Sequence, residues 1–278
     1  MRNLEPFQFQ DVESLLFLRP WMELSDKLVA GFTTKNGGFS KADYETLNLG
    51  LHVQDKPSTV VANRQAVADQ LKMPLSKWVC AEQVHKNLIV KVTEADSEKG
   101  VYDYKEGIPQ TDGIYTNRKE LLLTLCFADC VPLYFFAPKH GMIGLAHAGW
   151  KGTVEDIGGE MIKRWTEEGI PLNDIYAAIG PAIEGCCYIV DDRVIDLVKK
   201  VLGADNNGSP FYTVVSEGQY SLDLKEVNKH LLQKAGVQED HLLVSDLCTS
   251  CKEDVFFSHR RDRGRTGRML SFIGYRED

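Results

Sequence analysis

No stretch of this chain is long and apolar enough to enter a bilayer. The longest apolar run, Leu121 to Ala128, falls far short of the ~20 residues that a spanning helix needs. The opening MRNLEPFQFQDVESLLFLRP carries acids and lacks the apolar core of a signal peptide. Excess positive charge is also missing. Lys and Arg total 32 against 40 Asp and Glu, a net charge of −8, so no global field draws in nucleic acid. An anionic small substrate would need a local positive pocket instead. An even cysteine count is lacking too: there are seven, two of them adjacent. That excludes a disulfide framework and fits thiols in a reducing, cytoplasmic setting.

Several signatures are absent as well. No Gly-x-Gly-x-x-Gly follows a strand, which argues against a dinucleotide fold. Gly149-Trp-Lys151-Gly152-Thr153 lacks the spacing of a phosphate loop. There is no Gly-x-Ser-x-Gly elbow and no zinc-deaminase signature. Cys248-x-x-Cys251 is half of a zinc ribbon with no second half at suitable spacing, and reads as a core or local structural pair. Histidine is sparse, at seven, with no His-x-His pair.

What is present centres on Leu121 to Thr153. Three short apolar runs read as buried strands. The first ends in Ala128-Asp129-Cys130 and the third at His147 before a Gly-Trp-Lys-Gly turn. A thiol at one strand end and an imidazole at the next suit a metal or nucleophilic chemistry. Further strands are expected at 14–19, 28–34, within 78–93, at IYAAIGPAI, at HLLVSDLCTSC, and on both sides of a basic loop in the tail. Helices are expected from a Ser58 cap to Leu71, over TVEDIGGEMIKRWTEEG, from Asp191 to Leu202, and over SLDLKEVNKHLLQKAG. Residues 95–109 and Ala204 to Pro210 read as polar loops. Thr46 to Val53, TLNLGLHV, alternates with period two and reads as a strand with Asn48 and His52 on a solvated face. Strands and helices mix without βαβ regularity, so the simplest account is one α+β domain over 1–278.

The residues that remain as a constellation are His85, Cys130 and His147. Two neutral imidazoles and a thiolate suit Zn²⁺ and leave a position open. One thiolate leaves the ion a formal charge of about +1, which attracts anions. The tail arginines 260, 261, 263, 265 and 268 form either a solvated face or an anion site.

The motifs GFTTKNGGFS, TLNLGLHV, Asn63-Arg64, EQVH, QTDGIYTN, ADCVPLYF, AHAGWKGT, IGPAI-x-x-CCY and CTSC with FFSHRRDRGRTGR occur in this order. Together they resemble the YfiH/YlmD family, once described as laccase-like multicopper polyphenol oxidases and now as purine nucleoside phosphorylases. The resemblance implies a mixed-sheet four-layer α/β/β/α sandwich. It implies zinc on His85, Cys130 and His147, with copper as the alternative metal. It implies phosphorolysis of adenosine, inosine and methylthioadenosine, with adenosine deamination as a companion activity. The partners would be a purine nucleoside and phosphate, with no nucleic acid and no membrane. Arg64 is expected to steer phosphate, because its planar donors meet two oxygens at once. Asp129, His52 and Asn48 are candidates to serve the leaving purine. Lys35 and Lys151 stand where the family usually has Arg. They keep the charge but lose the two-toothed grip on an anion. Three rival readings are a copper polyphenol oxidase, a metal-free cysteine hydrolase using Cys130 and His147, and a non-enzymatic nucleotide-binding or metal-binding module.

Overall fold

The computed structural model describes residues 4–10, 12–203 and 210–276. The loop expected at Ala204 to Pro210 therefore lies outside the described residues except for Pro210. Two six-stranded sheets form the frame. The first runs in the order Phe7–Phe9, Leu15–Leu18, Leu28–Thr33, Met269–Tyr275, Leu122–Phe127, Trp78–Cys80. The second runs Leu242–Val244, Tyr176–Ile179, Val131–Ala137, Met142–Ala148, Gly113–Thr116, Ile89–Lys91. A small third sheet pairs Ile189–Val190, Gln219–Leu222 and Tyr212–Ser216; it was not among the expected elements.

The sheets face each other. Phe32, Leu123, Leu125 and Ile273 of the first meet Tyr134, Phe136, Ile143 and Leu145 of the second in one apolar cluster. The outer face of the first sheet, through Phe17, Val29, Leu122 and Phe272, packs on Val67, Ala68 and Leu71 of the helix Pro57–Leu71. The outer face of the second packs on the helices Ile157–Glu167, Asp192–Leu202 and Leu224–Lys234. The layers are thus α/β/β/α. Strands buried on both faces must be apolar along their whole length, and Val131–Ala137 and Met142–Ala148 are buried at every residue.

Several local expectations change. The first long helix starts at Pro57 after Lys56, with no side-chain cap. Proline there has a preset φ and no N–H to leave unpaired. The helix expected after Thr153 is two: Trp150–Val154, then Ile157–Glu167 capped by Asp156, which has a left-handed φ of 53°. Thr46 to Val53 forms no strand. Leu47, Asn48, Leu49 and Gly50 are all buried, so alternation there does not separate core from solvent. Asn48 donates to Asp55 and accepts from the amides of Gly50 and Arg268, while Asn63 donates to its carbonyl. Side chains hold this segment in place of a ladder. The tail keeps only its final strand, Met269–Tyr275.

Candidate metal centre

The site lies where the chain passes between the two sheets. Leu122–Phe127 belongs to the first sheet and Val131–Ala137 to the second, so Ala128-Asp129-Cys130 is a crossing. Residues 81–88 make a second crossing, from Trp78–Cys80 to Ile89–Lys91. His85 lies on it with φ 60°. Antiparallel register sets Val131 opposite Ala148 and Pro132 opposite His147, so Cys130 arrives beside His147 and Gly149. The ligand atoms of His85, Cys130 and His147 all lie within 4.8 Å of one another, and the two imidazole centroids are 4.7 Å apart.

Asp112 organises the centre, a role that its place in the sequence does not reveal. It is fully buried. Its carboxylate accepts from the amides of Val84, His85 and Lys86 at 3.1, 3.0 and 2.9 Å, and meets His147 Nδ1 at 2.8 Å. An ionised carboxylate only accepts, so Nδ1 carries a proton and Nε2 is the nitrogen left for a metal to take. Burial alone would raise the Asp112 pKa; His147 and the amides of Lys86 and Val84 reverse this and hold it below the usual carboxylate range. Burial would likewise raise the Cys130 thiol, but His147 and His85 bring it well below its ordinary value. His147 is pushed the opposite way, against its burial, by Cys130 and Asp112. Cys126 also lines the cavity, yet burial pushes its thiol up to about 11 and keeps it protonated.

This donor set fits a metal ion. It has two imidazoles and one thiolate with a carboxylate behind one imidazole, the arrangement that fixes tautomer and orientation in metal centres. Space also fits. A Cβ at Gly149 would lie 3.0 Å from Cys130 Sγ and 3.2 Å from His85 Cδ2, so glycine leaves the room that an ion needs.

The three residues open into a cavity of about 370 Å³, within the range of small-molecule sites. Trp150, Tyr188, Ile183 and Leu224 give it apolar walls, and Arg260 and Arg268 line it as cations. Of the tail arginines, Arg261 is instead tied to Asp262 and to loop carbonyls, and Arg265 pairs with Asp43. Arg260 lies over the Tyr188 ring at 4.6 Å. Arg268 spends Nη1 on the carbonyls of Thr266 and Gly267. His52 also lines the cavity. Desolvation, then Arg268, lowers its pKa and keeps it neutral.

The remaining expected residues lie elsewhere or are already engaged. Arg64 does not reach the cavity. It is 2% exposed and donates to the carbonyls of Leu49, Gly100 and Val101 at 2.7 to 3.0 Å. A helix arginine with this many backbone acceptors braces loops; phosphate cannot reach it. Asn48 is buried in the same brace and is no solvated strand residue. Asp129 lines the cavity, but its carboxylate accepts from Thr249, Ser258 and the Arg260 amide. Lys35 lies in a separate surface groove with Asp43 and Glu45. Lys151 sits over the Trp150 ring at 5.6 Å and lines a groove outside the cavity.

Residues 29–276 match the family model described as multi-copper polyphenol oxidoreductase laccase. The chain is 48% identical over 282 residues to the purine nucleoside phosphorylase YlmD of Bacillus subtilis, covering 100% of both. It is 54% identical over 252 residues to YlmD of Geobacillus stearothermophilus, covering 90% of this chain and 91% of the relative. The crystal structure of the Geobacillus stearothermophilus protein superposes with a TM-score of 0.93 at 50% identity, over 98% of this chain and 100% of that one. With this fold, this order of motifs and relatives matched along their whole length, the chain belongs to the YfiH/YlmD family.

Proposed function

We propose that this chain is a zinc-dependent purine nucleoside phosphorylase acting on adenosine, inosine and methylthioadenosine. One observation carries the reading: His85, Cys130 and His147 line one cavity together with the cations Arg260 and Arg268 and the aromatic and apolar side chains Trp150, Tyr188, Ile183 and Leu224. Relatives named purine nucleoside phosphorylase support it.

Zinc held by His85, Cys130 and His147 would act as a Lewis acid toward an oxygen of the bound substrate. Arg268 and Arg260 hold phosphate and replace Arg64 in that role, since arginine matches two phosphate oxygens with paired donors. Trp150 and Tyr188 flank the purine. A phosphate oxygen then bonds to C1′ as the bond from C1′ to the purine nitrogen breaks, through a transition state of oxocarbenium character. His52, being neutral, offers an N–H to the leaving purine. Asp129 keeps Arg260 in place through the backbone amide it accepts from. Adenosine deamination uses the same cavity with water in place of phosphate.

A second reading has specific support. Asp112, His147 and Cys130 align as base-orienter, base and nucleophile of a cysteine hydrolase. The third donor, His85, favours the metal. The family model's description favours an oxidase with copper. Incubation with adenosine, with and without phosphate, under anaerobic conditions and after chelation, separates the readings. Ribose-1-phosphate and adenine that need both phosphate and metal, but not oxygen, are expected. Activity surviving chelation would give the hydrolase; turnover only with oxygen would give the oxidase. Inosine formed from adenosine without phosphate would report the deaminase activity.

A further inference from the structure

A second group of side chains lies outside the triad. The strands Tyr176–Ile179 and Leu242–Val244 run parallel, with Ile179 paired to Val244. Their following loops stay together. Ala182 bridges to Cys248, and the Thr249 amide donates to the Ala182 carbonyl at 3.1 Å. This pairing carries Cys186 and Cys187 of one loop to Cys248 and Cys251 of the other. Sequence spacing hid the match, because the second half of the Cys-x-x-Cys motif is an adjacent pair more than sixty residues upstream.

All four thiols are free. Cys186 Sγ lies 3.7 Å from Cys187, 3.7 Å from Cys248 and 3.4 Å from Cys251, and Cys187 lies 3.3 Å from Cys251. All four sulfurs fall within 4.8 Å of one another. A tetrahedral ion with Zn–S of ~2.3 Å has sulfurs ~3.8 Å apart, close to these separations. Hydrophobic burial does not explain the cluster, since Cys186 and Cys251 are exposed. Soft thiolates in a tetrahedral set select zinc or iron, and a closed four-sulfur set leaves no position for substrate.

We propose that Cys186, Cys187, Cys248 and Cys251 bind a second Zn²⁺ with a structural role. The ion clamps two loops that build one wall of the cavity. Cys187 is followed by Tyr188, whose ring lies beneath Arg260. Thr249, between the other two cysteines, donates to Asp129 at 2.7 Å, and Arg261 donates to the carbonyls of Thr249 and Ser250. The site shares no ligand with the triad, and its assignment does not depend on which reaction runs there.

The test is metal stoichiometry. Protein free of any histidine tag is expected to carry two zinc ions per chain by elemental analysis. His147→Ala should reduce this to one, and so should Cys248→Ser/Cys251→Ser. Cobalt loaded into the His147→Ala variant should give thiolate charge-transfer absorption and intense tetrahedral visible bands. Wild-type protein supplies a control that needs no variant to fold: Cys186, Cys187, Cys248 and Cys251, identified by peptide mapping, should resist alkylation until zinc is removed. Zinc content unchanged in Cys248→Ser/Cys251→Ser, a disulfide within the cluster by intact mass, iron in place of zinc, or immediate alkylation of all four thiols would each overturn the assignment.

Discussion

Gly149→Ala isolates the metal centre from the rest of the fold. Gly149 has φ −67° and ψ 172°, a backbone conformation that alanine adopts without strain. In the metal-free protein the gain of up to ~1 kcal/mol through the unfolded chain is set against the crowding of Cys130 and His85 by the new Cβ, which costs about 1–3 kcal/mol where a core is overpacked. The added Cβ would lie 3.0 Å from Cys130 Sγ and 3.2 Å from His85 Cδ2. Ordinary non-bonded contacts lie near ~3.5–4.0 Å, so the sulfur must retreat by about half an ångström. Metal–ligand distances tolerate only about ±0.2 Å. Two of three donors are pushed at once, and zinc affinity should fall at least as far as for loss of an outer-shell partner, about 10–100-fold. Chelator competition measures the affinity, and thermal melts with and without metal measure stability. The gain in melting temperature on adding zinc at a fixed concentration, measured from each protein's own metal-free melt, should shrink. Wild-type zinc affinity in this variant would refute the placement of the ion between His85, Cys130 and Gly149.

Arg64→Leu should cost at least about 3 kcal/mol in chemical denaturation, because three buried carbonyls lose their charged donor at ~1–3 kcal/mol each. Its folded fraction should keep the wild-type phosphate KM; a selective rise in that KM would return Arg64 to the substrate. Arg268→Ala should raise the phosphate KM about 10–100-fold, the worth of ~1.5–3 kcal/mol for a charged hydrogen bond, with a smaller change for nucleoside. Equal changes in both would argue against Arg268 as the phosphate ligand. Asp112→Asn should weaken zinc binding about 10–100-fold, read by competition with a chromophoric chelator; unchanged affinity would mean that Asp112 does not orient His147.

Much of the frame was legible because burial on both faces demands continuous apolar runs. Val131–Ala137, Met142–Ala148 and Leu122–Phe127 announce themselves in that way. Helices ending in a clear cap were legible too: Asp191 accepts from the Val194 amide and Asp223 from those of Lys225 and Glu226. Thr46 to Val53 was misread because period-two alternation says nothing about whether a neighbouring strand exists. Asp112 was not legible: an aspartate directly before an apolar strand is exposed at a turn or buried with several partners, and Asp112-Gly113 reads as an ordinary turn dipeptide.

The order of apolar runs, the thiol and imidazole at strand ends, and the family resemblance were properties of the sequence alone, because local pattern and residue chemistry are written there. Which arginine faces the cavity was decided by tertiary structure. Arg64 and Arg268 carry the same group, yet one meets carbonyls from loops at 49 and 100–101 and the other lines the site. The four cysteines at 186, 187, 248 and 251 likewise became neighbours only through the parallel pairing of two strands. A charge or a thiol takes its role from what surrounds it, and contacts between remote segments leave no periodic trace along the chain.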